Sequence, residues 1–388
     1  MTGPCRWLTI FVLGFSFSLP ALAADDDIAE LRAEIERLSQ RLEQLEQDRR
    51  ERHEEKVVSV PAPRQEKQLK FKGDVRYRYE MIDQEGKEDR NRNRVRARFG
   101  ATARVNDSVK AGIQLGTGGD SPVSGNQSLD GGFSRKDFGL NLAYVTWQMA
   151  PGSSLTAGKM KNPLHRAGGH GLIWDSDVNP EGVAWQYQAN GVFTNVVGLY
   201  VEERSSADDS LMFGGQLGFD TDVAGDMDFK GGIGYYVYTN TVGNKPFFDG
   251  DDSAGNTLVD GLLVNDYRQV ELFAELGLKV SEWPAAVFAN YVQNTDASDN
   301  DTGYAVGISV GQFSWAYQDL EADAVIGTFA DSDFGGGGTG VSGHVFKAKH
   351  PIAKNWAASL TFFLNDFGAP GAPEKDYRRL QADMQFKF

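Results

Sequence analysis

Two neighbouring stretches of this chain alternate between apolar and charged residues almost without interruption. From Leu69 to Met81 the odd positions are apolar, aromatic or Gly, and the even positions are all charged. The second stretch, residues 92–105, sets apolar side chains against Arg92, Arg94, Arg96, Arg98 and Arg104. Alternate side chains of a strand point to opposite faces, so each strand has one charged face and one apolar face. Charge this dense does not face a protein core; a membrane barrel with lipid outside and water inside accommodates both faces.

The first 24 residues have the pattern of a secretory signal peptide. Arg6 supplies the positive charge, residues 7–19 are a short apolar stretch, and residues 21–23 read Ala-Leu-Ala, which is typical of a cleavage site. The apolar stretch is too short for a good membrane span, although a retained anchor helix remains an alternative. Cys5 is the only cysteine and lies inside this signal, so the mature chain is expected to contain no disulfide.

Residues 25–56 are predicted to form a helix with a narrow apolar seam. Apolar residues recur at spacings of three and four, which is the pattern of a coiled coil: Ile28, Leu31, Ile35, Leu38, Leu42 and Leu45. The alternative is a single amphipathic helix packed on its own barrel. A linker follows at 57–67, with Pro61 and Pro63.

From residue 68 to 388 the pattern predicts an all-β domain, a 16-stranded antiparallel transmembrane β-barrel, preceded by the coiled coil. The predicted strands are 68–82, 92–105, 108–118, 137–149, 154–161, 181–189, 192–203, 210–219, 227–239, 266–280, 285–294, 303–311, 312–320, 341–350, 354–364 and 377–388. Short turns alternate with long loops, which fall around 119–135, 162–180, 240–265 and 321–340. Outer-membrane barrels have short periplasmic turns and longer outer loops. With the coiled coil in the periplasm, every long loop lies outside.

The last strand is amphipathic and ends on an aromatic residue, Phe388. A terminal aromatic on such a strand resembles the assembly signal of bacterial outer-membrane proteins. We therefore expect the barrel assembly machinery to be a partner, and the outer membrane to be the location.

Several segments of the barrel resemble the "putative porin" family of proteobacterial outer-membrane proteins. They are Arg92–Gly100, Trp174–Gly182, Leu320–Gly327 and Asp331–Thr339. The resemblance implies a passive diffusion channel that assembles as a trimer. The six seam residues of the helix do not themselves decide between a dimer and a trimer. The solutes of the family are poorly defined, so the resemblance implies little about selectivity.

Charge is segregated along the chain. The even-numbered arginines of the first two strands predict a cationic wall lining the pore: Arg76, Arg78, Arg92, Arg94, Arg96, Arg98 and Arg104. The loops are acidic, and the loop carrying Asp175 and Asp177 is the candidate constriction loop. Basic walls favour anions, but acidic residues on a folded-in loop would neutralise the wall, and both alternatives remain open. The acidic outer mouth would suit divalent-ion bridges to lipopolysaccharide. A net charge of −15 argues against a nucleic-acid partner.

Three local patterns imitate catalytic or cofactor sites. Gly307–Gly311 matches G-x-S-x-G, but alternation continues through it, so Ser309 is expected on a strand rather than in a nucleophile elbow. The glycines at 335–340 lack the helix of a dinucleotide site. Asp175-x-Asp177-x-Asn179 begins like a calcium loop but has Pro180 where the turn glycine belongs. We predict no catalytic residue, no metal and no cofactor.

The sequence therefore predicts an outer-membrane porin that passes small hydrophilic solutes and ions, and not an enzyme. The alternative is a structural tether between the outer membrane and the cell wall, with a plugged barrel. An outer-membrane enzyme is a further alternative. Conductance separates the first two, since a plugged barrel conducts little.

Overall fold

The structure, a computed structural model, describes residues 25–58 and 69–388, which form two separate units. The first is a single helix, α1 (Asp25–Val58). Its seam residues Ile35, Leu38, Leu42 and Leu45 are about 60% exposed in the single chain. The predicted signal peptide and residues 59–67 of the predicted linker lie outside the described residues. Within the described part, no helix is long and apolar enough to cross a membrane.

The second unit is built almost entirely from strands. In chain order they are β1 (Leu69–Gln84), β2 (Arg90–Arg104), β3 (Val109–Thr117), β4 (Gln127–Ser128), β5 (Phe138–Ala150), β6 (Ser153–Lys159), β7 (Glu181–Ala189), β8 (Val192–Glu202), β9 (Ser210–Ala224), β10 (Met227–Tyr238), β11 (Leu258–Val259), β12 (Leu262–Leu263), β13 (Arg268–Val280), β14 (Trp283–Asn294), β15 (Thr302–Val310), β16 (Phe313–Leu320), β17 (Val341–Ala353), β18 (Trp356–Phe367) and β19 (Lys375–Lys387). Leaving aside the two-residue strands β4, β11 and β12, sixteen strands remain, as predicted. Short 3-10 turns at Ala167–Gly169, Gly327–Phe329 and Phe334–Gly336 lie in the loops.

The sixteen long strands form one closed antiparallel barrel. Each pairs with its neighbours along the chain, and β1 pairs with β19, from Asp74 opposite Lys387 to Gln84 opposite Tyr377. At this seam the backbones of Gly73 and Phe388 exchange two hydrogen bonds, of 2.9 and 3.0 Å. The Phe388 ring covers the place where a side chain at Gly73 would stand. The closing aromatic therefore seals the joint between the first and last strands.

The connections alternate in length, as predicted. Turns of two to four residues join the strands at the end where β1 begins, and loops of five to 29 residues join them at the other end. In one of the two-residue turns, Asn190 and Gly191 have φ of 52° and 77°, which is the left-handed backbone of a type I′ hairpin. One predicted turn, 221–226, is shorter in the structure, because β9 continues pairing with β10 up to Ala224.

The outer face of the barrel is apolar, whereas the interior contains both charged wall residues and apolar loop residues. On β1, side chains such as Val75, Tyr77 and Tyr79 are exposed on the outside, while the charged residues between them point inward. Three long loops, 160–180, 239–267 and 321–340, fold into the interior and pack against its wall. Their apolar residues form one core with inward-facing wall residues, including Leu172, Trp174, Phe247, Val325 and Phe334 from the loops, and Met212, Tyr236, Val292, Leu320 and Val345 from the wall.

Candidate pore and its charged wall

The predicted arginines of β1 and β2 lie together on the inner face of the barrel. Cross-strand pairing sets Arg76 opposite Arg96 and Arg78 opposite Arg94. Arg78 and Arg96 are each only 5% exposed. Guanidinium groups buried so deeply are stable only when they are paired with carboxylates. The remaining residues of the wall supply those carboxylates.

Glu80 of β1 is the centre of one group of contacts. It has no exposed surface, and its carboxylate lies 2.5 Å from Arg92, 3.4 Å from Arg94 and 2.5 Å from Arg379 of β19. One carboxylate is thus shared by three guanidinium groups. The group remains cationic unless further carboxylates reach it.

Asp74, six residues before Glu80 on β1, is the centre of a second group of ion pairs. Its two oxygens accept from Arg98 at 2.8 Å and from Arg96 at 3.3 Å. Asp74 and Glu80 occupy even positions of β1, so the same alternation that points the arginines inward also points these acids inward. These two acids therefore neutralise part of the positive charge of the arginines.

Two folded-in loops complete the neutralisation. Asp177, in the predicted constriction loop, lies 3.1 Å from Arg96 and 3.5 Å from Arg98. Asp333, in loop 321–340, lies 3.0 Å from Arg78 and 2.8 Å from Arg379. Burial opposes ionisation of Asp333, but the guanidinium groups of Arg379 and Arg78 outweigh it and hold its pKa far below the usual range. Both loops are therefore fastened to the arginine wall by ion pairs.

The neighbouring loop and strand add three more contacts. Arg78 forms a bidentate pair with Asp383 of β19, at 2.7 and 2.8 Å. Arg76 and Arg94 both donate to Asn126 of loop 118–137, at 2.6 and 3.1 Å. Among the described residues, no carboxylate lies within ion-pair distance of Arg76.

Two predicted site residues do not join this cluster. Arg104 lies at the turn end of β2, where it is exposed and pairs with Asp107 at 3.4 Å. Asp175 lies in the same loop as Asp177 but forms no ion pair with the arginines of the wall, and it is 6% exposed. Its oxygens accept from the backbone N–H groups of Asp177 at 2.7 Å and Ser332 at 2.9 Å. Burial, reinforced by the nearby Asp331, raises the pKa of Asp175 to about 8.

Loop 160–180 is anchored to the opposite wall as well as to the arginines. Gln216 of β9 accepts from the His165 backbone N–H at 2.7 Å and donates to its carbonyl at 2.9 Å. Further along, Gly168 donates to Glu275 of β13, and the His170 ring bonds to Gln318 of β16 at 2.6 Å. The loop therefore crosses the interior and narrows it.

A cavity of about 610 Å³ remains between this loop and the barrel wall. Arg96, Arg98 and Asp177 border it on one side, and Trp174, Tyr238 and Phe247 border it on the other. One side is thus charged and the other is aromatic.

Part of the charged cluster does not follow from the sequence. The alternation of the first and last strands places Asp74, Glu80, Arg379 and Asp383 on the same face as the arginines, but it does not predict which of them pair. Asp333 was not predicted as a partner of Arg78, since nothing local marks it as one. Ser309 lies on β15 within a regular strand, and 335–340 is a loop. In residues 25–58 and 69–388, no group of three or more His, Cys, Asp or Glu side chains is arranged to hold a metal.

Comparison with known proteins identifies a family for most of the chain. A family model described as "Putative porin" matches residues 83–258 and 276–376, which is well over half of the sequence. No curated protein matches the chain in sequence.

Solved structures share the barrel at low sequence identity. A high-pH structure of OprB from Pseudomonas putida has a TM-score of 0.57 at 12% identity, covering 82% of this chain and 94% of that one. A triple mutant of the Rh. blastica porin has a TM-score of 0.51 at 11% identity, covering 82% of this chain and all of that one. At this identity the likeness shows the fold, a closed 16-stranded barrel.

Proposed function

Because the chain belongs to the "Putative porin" family, we propose that it forms a passive diffusion channel in a bacterial outer membrane. Small hydrophilic solutes and ions would cross it down their gradients, with no reaction catalysed. The observation that carries the proposal is the loop 160–180, which crosses the interior of a closed barrel and leaves a cavity beside a charged wall. A channel needs such a polar passage with a defined narrow point.

In this proposal the arginines line the narrow part of the pore, and their neutralisation sets its selectivity. Arg96 and Arg98 face Asp74 and Asp177, so a passing ion meets both signs of charge. Opposed charges attract anions and cations to a similar degree. The wild-type pore is therefore expected to conduct with weak ionic selectivity.

The test is conductance and reversal potential in a planar lipid bilayer. Wild-type protein should give discrete conductance steps. Changing Arg94, Arg96 and Arg98 together to Gln leaves Glu80, Asp74 and Asp177 short of cationic partners. The reversal potential should then shift toward cation selectivity, most strongly at low salt, where the Debye length is about 30 Å at 0.01 M.

Arg104→Gln is the matched control, because Arg104 lies on the same strand but at the exposed turn end. It should leave the reversal potential unchanged. An equal shift in both variants, or no shift in the triple variant at low salt, would remove the arginine wall from the permeation path.

We further propose that the chain is exported, loses residues 1–24, and assembles as a trimer with its helix in the periplasm. The exposed seam of α1, including Leu38 and Leu42, supports self-association, since isolated coiled-coil seams bury these side chains against a partner helix. Native mass spectrometry of the detergent-solubilised protein should give three copies. A dimer would overturn the trimer and would agree with the two-stranded preference of coiled coils that have Ile at position a and Leu at position d.

Assembly is expected to depend on Phe388. Its backbone and ring close the joint with Gly73, and its position at the end of an amphipathic strand suits recognition by the assembly machinery. Replacing Phe388 with Asp should leave the chain unassembled, without the heat-modifiable band of a folded barrel on electrophoresis. Normal heat-modifiable protein in the membrane fraction would contradict this role.

A second candidate function, a structural tether with a plugged barrel, is favoured by one observation. Asp177 and Asp333 fasten two loops to the arginine wall, and the arginines they contact are buried. If the loops stay in that arrangement, little conducts. Bilayers that contain folded protein but show no conductance would favour the tether.

A further inference from the structure

We propose that the cavity beside the arginine wall is a binding subsite for a cyclic sugar, a neutral solute with hydroxyl groups around an apolar ring face. The inference rests on the proposed channel function and names the class of solute that the channel retains. At about 610 Å³ the cavity lies within the ordinary range of small-molecule sites.

The aromatic side of the cavity is a continuous stack of four rings. Successive centroids are 6.0 Å apart between Trp174 and Phe329, 6.1 Å between Phe329 and Phe247, and 6.3 Å between Phe247 and Tyr238. The angles between successive ring planes are only 20–28°. All four residues border the cavity. Such a stack presents large, flat apolar surfaces, and the C–H face of a pyranose ring is a matching flat surface.

The facing side of the cavity offers planar hydrogen-bonding groups. Asn179 donates to Asn141 at 2.9 Å, and its own side-chain oxygen has no hydrogen-bond partner among the described residues. Asp177 and Arg98 border the same side. Carboxylate, amide and guanidinium groups together provide both acceptors and donors, which is what hydroxyl groups require.

The ion pairs around the cavity favour a neutral occupant. Arg96 and Arg98 are both held by Asp74 and Asp177, and Lys159 lies 2.7 Å from Glu181. An anion would have to displace a carboxylate from its guanidinium partner, and a cation would have to displace an arginine. Breaking a buried pair is costly. A hydroxyl group can add a hydrogen bond without breaking any pair.

Three six-carbon solutes test separately whether the site requires a ring and whether it excludes charge. Glucose has a ring face and no charge, sorbitol has no ring, and gluconate has a negative charge and no ring. Uptake would be measured in vesicles that contain the full-length protein. Glucose flux should saturate with concentration, whereas sorbitol and gluconate fluxes should rise linearly over the same range.

The aromatic stack is tested by one variant and a matched control in the same loop. Phe329→Leu keeps an apolar side chain but removes one of the two central rings of the stack. Phe334→Leu makes the same change at a buried residue that does not border the cavity. We expect the half-saturating glucose concentration to rise about 3- to 10-fold in Phe329→Leu, the range for losing aromatic stacking, and to stay unchanged in Phe334→Leu.

Potassium chloride conductance of the same preparations separates the two proposals. Normal conductance with linear glucose flux would overturn the sugar site and leave the channel standing. Saturable flux of gluconate rather than glucose would also overturn it, as would equal effects of the two Phe variants. Absence of both conductance and solute flux would overturn the channel and the sugar site together.

Discussion

The interior of this barrel has two regions built on the same strand alternation but with opposite chemistry. The charged wall, formed by β1, β2 and β19, faces inward with Arg78, Arg96, Glu80 and Arg379. The apolar lining on the far side faces inward with residues such as Met212 and Leu320. An inward-facing side chain of this barrel is therefore not necessarily exposed to water. Arginines face inward where carboxylates pair with them, and apolar side chains face inward where apolar loop residues pack against them.

Two carboxyl groups of one loop show the difference between the regions. Burial, reinforced by the charge of Asp333, raises the pKa of Asp331. Two residues later, Asp333 reaches the charged wall, and Arg379 and Arg78 lower its pKa despite burial. Both acids are partly buried. The direction in which each pKa moves follows from the charged groups that the carboxyl meets.

The largest expected effect comes from removing the central acid of the charged wall. Glu80→Gln leaves the partly buried Arg92 and Arg94 without a carboxylate in contact and breaks the buried pair of Glu80 with Arg379. Removing one partner of a buried pair costs about 3–5 kcal/mol. Chemical unfolding of the protein in lipid vesicles should show this loss in the free energy of unfolding.

Asp83→Asn on the same strand is the control for that change. Asp83 pairs with Arg378 at 3.7 Å, with both side chains more than half exposed, so its loss should cost at most about 1 kcal/mol. Similar losses of unfolding free energy in Glu80→Gln and Asp83→Asn would show that Glu80 is as exposed to water as Asp83.

A smaller effect is expected from pH at the junction between the folded-in loops. With a pKa raised to about 8, Asp175 still binds a proton in the folded protein at pH values where the unfolded chain, with the ordinary Asp pKa of 3.8, has released it. Its stabilising contribution is complete below the unfolded value and is lost as pH rises through the folded value. The loss is at most about 1.4 kcal/mol per pH unit.

Unfolding measured from pH 5 to pH 9 checks this linkage. Asp175→Asn mimics the protonated carboxyl and should flatten the decline in stability, whereas Asp120→Asn, an exposed loop change, should leave it as in the wild type. An unchanged pH profile in Asp175→Asn would place the titrating group elsewhere.

The smallest effect is expected in the apolar region. Phe334 is 1% exposed and packs edge-on against His170 and Phe363. Phe334→Leu keeps most of the apolar volume, so it should lower the free energy of unfolding by no more than about 1.5 kcal/mol. The same change at Phe133, which is fully exposed in loop 118–137, should have no measurable effect. Equal effects would mean that loop 321–340 is not packed in the interior.

Much of the fold follows from local periodicity. A period of two identifies each strand and assigns each side chain to a face, so residues such as Val75 and Arg76 were placed correctly before any contact was known. Turn length and strand parity then gave the alternation of short turns and long loops. Strand ends do not follow from periodicity alone: β9 extends to Ala224 because its pairing with β10 continues beyond its own sequence pattern.

The sequence by itself determined that the arginines of β1 and β2 point inward, because strand geometry leaves them no other face. Only the tertiary structure decided what they meet there. Asp383 is 305 residues from Arg78 along the chain and reaches it only because β19 closes the barrel on β1. Asp333 reaches it because loop 321–340 folds inward. An electrostatic partner is selected by distance in space, and distance in space between remote segments is set by barrel closure and loop packing rather than by any local pattern.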